Sequence, residues 1–146
     1  MKHKVILLVE DNANDEELTK HSLDRSGVAN EVVVARDGVE ALDYLFGTGR
    51  FVGRDIRQIP ALVLLDLRLP KVDGLGVLQR VRADDRFKAM PIVAMTSSTD
   101  QEDLLRSYGG GVNGCVRKPV DFEEFARTVR EIGMFWLLVN EVPDPR

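Results

Sequence analysis

One cysteine in 146 residues, Cys115, rules out an internal disulfide, and with no cluster of cysteines and histidines any metal site must use oxygen ligands. No apolar run approaches the roughly 20 residues that a membrane helix needs. The opening stretch MKHKVILLVED is too short and too soon acidic for a signal peptide, so a cytosolic protein without a membrane attachment is expected. A basic run is missing as well. The 20 Lys and Arg are scattered among 24 Asp and Glu, a formal charge of -4, which offers no footprint for nucleic acid. The chain is long enough to bury a core without staples and too short for a second folded unit, so residues 1–146 are read as a single domain.

What the chain does have is a buried run that ends in acid. Ala61 to Leu65 is apolar without polar alternation, which is how a strand buried on both faces of a parallel sheet reads, and it delivers Asp66 into a loop bounded by Pro70 and Gly74. An aspartate there is often only a turn or a helix cap, but ligands of open α/β sheets bind just beyond the carboxyl ends of the strands.

The rest of the chain repeats the pattern. Lys4 to Val9 reads as a strand that empties into Glu10-Asp11-Asn12, followed by a helix with Asn14 and Glu17 as its capping box and Gly27 as its stop. Val32 to Val34 is a second strand, and Val39, Leu42 and Leu45-Phe46 recur at helical spacing. Residues 47–60 carry three glycines and Arg50, Arg54 and Arg57 without periodicity, a long loop that is read as functional or mobile. A third helix shows Leu75, Leu78 and Val81, and Asp84 to Met90 is read as a polar loop. Ile92 to Met95 is a strand leading into Thr96. Thr99 and Glu102 form a capping box for a helix that stops at Gly109 to Gly111. Val112 to Val116 is a weaker strand ending in Arg117-Lys118-Pro119. Asp121 and Glu124 cap a last helix with Phe122, Phe125, Ala126, Val129, Ile132 and Trp136 on one stripe.

Five strands alternating with five helices imply a doubly wound parallel sheet with right-handed crossovers. In that architecture Glu10, Asp11, Asp66, Thr96 and Lys118 all reach one sheet edge. Each residue alone has a bland explanation, but their joint arrival at strand ends does not. Carboxylates gathered there repel one another unless a cation joins them, and a site of oxygen ligands suits Mg2+. Asp66 is then placed to attack a phosphoryl group, with Lys118 and the Thr96 hydroxyl against the phosphoryl oxygens.

LLVEDN, LLDLRLPKVDG, VAMTSS and CVRKPV together resemble the receiver domain of bacterial two-component response regulators, over nearly the whole chain. The resemblance implies a flavodoxin-like receiver fold and a signalling protein rather than an enzyme with a separate substrate. It implies Asp66 as phosphoacceptor and Mg2+ held by Glu10, Asp11, Asp66 and the backbone carbonyl of Arg68. It further implies Thr96 and Lys118 on the phosphoryl group, a cis peptide at Lys118-Pro119 and a sensor histidine kinase as donor. Two positions depart from the family: Cys115 stands where a Tyr or Phe is usual, and Arg68 places a long cation two residues after Asp66. Cys115 is read as a small buried residue rather than a redox sensor.

Residues 134–146 form an apolar helix end and tail. MFWLLV, 134–139, is apolar on every side, which marks Phe135, Trp136 and Leu138 as interface candidates for a homodimer or another partner. The alternative is that Phe135 and Leu138 fold back on the domain. Stand-alone receivers associated with bacterial phytochrome kinases are similar in this FW-containing helix, the long loop and the Glu-Asp pair. That narrower resemblance implies red-light signalling. Two other readings stand beside the switch: an unphosphorylated interaction module, and an Asp-nucleophile phosphatase of the haloacid-dehalogenase kind. The phosphatase would want an aspartate where this chain has Arg68. A flavin-binding reading lacks a phosphate-cradling loop after Val9.

Overall fold

The computed structural model describes residues 4–27, 31–97 and 101–143. Five strands, β1 (Val5–Val9), β2 (Glu31–Ala35), β3 (Leu62–Asp66), β4 (Ile92–Thr96) and β5 (Gly114–Arg117), form one parallel sheet in the order β2-β1-β3-β4-β5. The helices are α1 (Ala13–Ser26), α2 (Gly38–Phe46), α3 (Gly74–Arg82), α4 (Gln101–Gly110) and α5 (Phe122–Met134). The doubly wound architecture of five strands and five helices is therefore as expected.

The unbroken apolar runs follow from a core on each face. Leu7, Val9, Val63, Leu65, Ile92 and Ala94 join the first core with Leu42 and Leu45 of α2 and Val77, Leu78 and Val81 of α3. Ile6, Leu8, Leu62, Leu64, Val93 and Met95 join the second with Leu23 of α1 and Phe125, Val129 and Ile132 of α5. Alternate side chains point to opposite faces, so a strand covered on both sides has no polar position to spare. Each fully buried Leu or Ile contributes roughly 1.5–3 kcal/mol.

Several boundaries differ from the sequence reading. The cap of α1 is Asn12, not Asn14: its side chain accepts the Asp15 N–H at 3.0 Å, and the helix starts two residues earlier. Gly27 does stop α1, in the left-handed region at φ 69°. Helix α4 runs through Gly109 and Gly110, and the chain turns at Gly111 with φ 104°. The capping box at Thr99 lies outside the described residues. Residues 84–90 contain a 3-10 turn, Asp85–Phe87, that sends Phe87 fully into the first core. Strand β5 begins only at Gly114 because the Asn113 side chain is engaged: its Oδ1 accepts from the Ile92 N–H and from Arg82 Nη2. On α5 the Asp121 cap is as expected, but Phe122 projects outward, 70% exposed.

The 47–60 loop is internally stapled. The Arg54 guanidinium lies 4.0 Å over the Tyr44 ring and donates to the carbonyls of Tyr44 (2.7 Å), Asp55 (3.1 Å) and Gln58 (3.0 Å). Arg50 pairs with Glu40 and lies over the Phe51 ring, and Arg57 pairs with Asp55. All three arginines are thus used within the chain.

The last helix widens at its end. Residues Phe135–Val139 form a π-turn, closed by the Asn140 N–H on the Phe135 carbonyl five residues back at 2.8 Å. Leu137 is buried and Trp136 packs on the second core, while Lys4 Nζ donates to the Leu137 carbonyl. Phe135 and Leu138 do not fold back; they are 48% and 60% exposed.

Replacing Arg54 with alanine removes three hydrogen bonds and a cation–π contact, so we expect a loss of about 1–3 kcal/mol. Chemical denaturation measures the loss, and amide exchange should rise within residues 47–60 while the sheet stays protected.

Candidate functional site

The carboxyl edge of the sheet collects the side chains expected there. Glu10 follows β1, Asp66 is the last residue of β3, Thr96 the last of β4, and Lys118 follows β5. Glu10, Asp66 and Thr96 are buried and Asp11 is exposed. The Lys118 N–H donates to the Thr96 carbonyl at 2.7 Å, which extends the parallel ladder one residue beyond the strands and brings the lysine side chain back over the edge. The Lys118–Pro119 bond is trans, as is every peptide bond among the described residues, so the cis bond implied by resemblance is not present. Trans is the intrinsically favoured isomer, by about 0.5–1 kcal/mol, and Lys118 reaches the acids from it.

The Lys118 ammonium donates to Glu10 Oε1 at 2.8 Å, Asp66 Oδ2 at 3.0 Å and Asp15 Oδ2 at 3.1 Å. Asp15 was not singled out in the sequence. With Asn12 as the cap, Asp15 is the third residue of α1, and only Asn12 separates Asp11 from the helix, so the first turn overhangs the sheet edge. Locating the cap correctly is the signal that finds it.

Asp66 is held by a second donor, the Arg68 N–H on Oδ1 at 2.9 Å. The loop after it is tightly folded. A side chain on Gly74 would meet the Asp66 carbonyl at 2.5 Å, and one on Gly38 would run into the Val72 carbonyl. Lys71, with φ 66°, ties the same loop to Asp37 at 3.3 Å. The Arg68 guanidinium turns away from Asp66 and pairs with Asp103 of α4 at 2.9 Å. Cys115, half-buried in β5, lies against the first core.

Among the described residues, Glu10, Asp11 and Asp66 form one group that brings a carboxylate oxygen from each within 4.8 Å of the others. That donor set fits a hard divalent cation. Burial pushes the Glu10 carboxyl up to about 7, against the opposing pull of its Lys118 hydrogen bond and charge. Burial also works against the Lys118 charge, but the Glu10 hydrogen bond and the Asp66 and Glu10 charges outweigh it and raise its pKa above the usual lysine range.

Comparisons with known proteins point to one family. The family model of the response regulator receiver domain matches residues 6–130. The probable methanogenesis regulatory protein FilR2 of Methanothrix harundinacea is 44% identical over 141 residues, 97% of this chain and 88% of its own length. The crystal structure of the phosphorylated cyanobacterial phytochrome response regulator RcpA matches with a TM-score of 0.90 at 38% identity, covering 97% of this chain and 99% of RcpA. The structure of the bacteriophytochrome response regulator AtBRR is 53% identical with a TM-score of 0.75, covering 97% of this chain and 100% of AtBRR.

A carboxyl group whose folded pKa lies above its unfolded value stabilises the fold at low pH and loses that contribution as pH rises through the folded pKa. In the absence of divalent cations, the Glu10 contribution to unfolding free energy should therefore fall between pH 4.5 and about 7. Denaturant titrations across that window should show the fall in the native chain and its absence in Glu10→Gln.

Proposed function

The chain belongs to the response regulator receiver family of two-component systems, whose receiver domains take phosphoryl groups from histidine kinases, and from that membership we propose that Asp66 is its phosphoacceptor. The observation that carries this reading is the buried Asp66 carboxylate held between the Lys118 ammonium and the Arg68 N–H, with Glu10 and Asp11 beside it. In the transfer, an Asp66 oxygen bonds to phosphorus as the bond to the kinase histidine nitrogen breaks, and the electron pair leaves with the imidazole. Lys118 turns from the carboxylates to the incoming phosphoryl oxygens, and the Thr96 hydroxyl donates to another. Glu10, Asp11, Asp66 and the Arg68 carbonyl would hold Mg2+. The ion, when bound, neutralises the phosphoryl charge.

The chain acts as a signalling protein, not as a phosphatase of the haloacid-dehalogenase kind. The position that would supply that enzyme's acid/base holds Arg68, whose guanidinium is paired with Asp103. The joint presence of Glu10, Asp11, Asp66, Thr96 and Lys118 at one sheet edge favours a phosphoacceptor over an unphosphorylated module. The donor kinase is a bacterial phytochrome, a proposal supported by the likeness to AtBRR and RcpA over nearly their full lengths. The signal leaves through the C-terminal turn, where exposed Met134, Phe135, Leu138 and Val139 present apolar surface to a second copy of the chain. Trp136 supports that surface from the core side, so it is a poor probe of the interface.

Incubation with acetyl phosphate should add one phosphoryl mass to the native chain only when Mg2+ is present, and none to Asp66→Asn. An adduct that persists in Asp66→Asn would assign the phosphoacceptor elsewhere. For the interface, Leu138→Asp should shift sedimentation from dimer to monomer while the mass adduct still forms. A native chain that sediments as a monomer, or a variant that remains dimeric, would remove the C-terminal turn from the proposal.

A further inference from the structure

We propose that Asp15 is a positioning residue for Lys118, the counter-ion that keeps the ammonium at the sheet edge when a divalent cation claims its other two partners. The inference rests on the phosphoacceptor and cation reading above.

An ammonium has three N–H donors, and Lys118 spends one on each of Glu10, Asp15 and Asp66. Two of those acceptors, Glu10 and Asp66, also belong to the group whose oxygens converge within 4.8 Å, and Asp15 does not. A cation bound there competes with the ammonium for the two shared carboxylates and repels it by like charge. Of the three acceptors, Asp15 is the one for which the cation does not compete.

Its setting suits that task. The Asp15 side chain is 30% exposed, against 4% for Glu10 and 10% for Asp66, so it meets the ammonium from the solvent side of the cluster. It is carried by the first turn of α1, which the Asn12 cap pins to the end of β1. Lys118 is anchored independently, through its N–H on the Thr96 carbonyl. The two side chains therefore meet from separate rigid elements, and the ammonium can pivot about Asp15 from the carboxylates toward a phosphoryl oxygen without leaving the site.

A double-mutant cycle separates this role from a bare charge effect. Mg2+ affinity is measured by isothermal titration calorimetry for the native chain, Asp15→Asn, Lys118→Met and the double variant, with circular dichroism confirming the fold of each. We expect Asp15→Asn to weaken binding about fivefold to tenfold in the native background and less than twofold in the Lys118→Met background. The same factor in both backgrounds would show that Asp15 acts only as a charge through space and would overturn the proposal, as would no change in the native background. A second readout is the 15Nζ–H resonance of Lys118 in the Mg2+-loaded protein. It should be slowed in exchange and visible in the native chain, lost in Asp15→Asn and restored in Asp15→Glu. Persistence of the resonance in Asp15→Asn would also overturn the proposal. A native chain without measurable Mg2+ binding would instead overturn the cation reading, and this proposal with it.

Discussion

One ammonium among four carboxylates is the constraint on which the site depends. Glu10, Asp11, Asp15 and Asp66 bring four potential negative charges to one sheet edge, and Lys118 supplies a single positive one in direct contact with three of them. Such a group is held together at a cost. Burial of the group adds to that cost and pushes the Glu10 carboxyl up, while an excess of negative charge of this kind suits a divalent cation. On the proposed reading, a phosphoryl group that brings further negative charge to this edge draws Lys118 away from the carboxylates. The proposed switch would in this sense follow from unbalanced charge on a rigid support.

The rigidity comes from the sheet. Strands buried on both faces have little freedom to shift, so the residues at their ends stand at fixed separations. The parts that can respond lie just beyond. The loop after β3 is fastened at three points, by the close approach of Gly74 and Gly38 to backbone, by Lys71 on Asp37 and by Arg68 on Asp103. The last of these ties is an exposed ion pair, worth about 0–1 kcal/mol. It connects the residue whose N–H holds Asp66 to α4, and a weak tie is one that a change of charge at Asp66 can alter.

Sequence and structure agree where periodicity and strand ends carry the information. The runs VILLV, LVLLD and IVAMT announced doubly buried strands, and the acids, threonine and lysine at their ends were legible as a site because parallel strands all finish on one edge. Disagreement falls at places decided by side-chain geometry. Asn12 and Asn14 are equally good caps by residue type, and only the direction of the Asn12 side chain toward the Asp15 N–H decides between them. That one choice hid Asp15. Phe122 fits the stripe of α5 by spacing, yet at the first position of the helix it lies past the edge of the second core. Residues 47–60 read as a functional or mobile loop, whereas Arg54 uses the ring and carbonyls around it to give this aperiodic segment a fixed shape.

By itself the sequence determined the strand and helix order, the two-faced burial of the sheet and the set of residues delivered to its carboxyl edge. These depend on local pattern and on the handedness of parallel crossovers, which hold for any chain with this alternation. Tertiary structure decided which of those residues touch. The three hydrogen bonds of Lys118 span 52 to 108 residues of chain, and no local rule says which carboxylates one ammonium will find. The same holds for the tail, where six apolar residues in a row look alike until the π-turn buries Leu137 and leaves Phe135 and Leu138 outside. Contact between distant side chains is settled by how whole elements pack, and that information does not reside in any one segment.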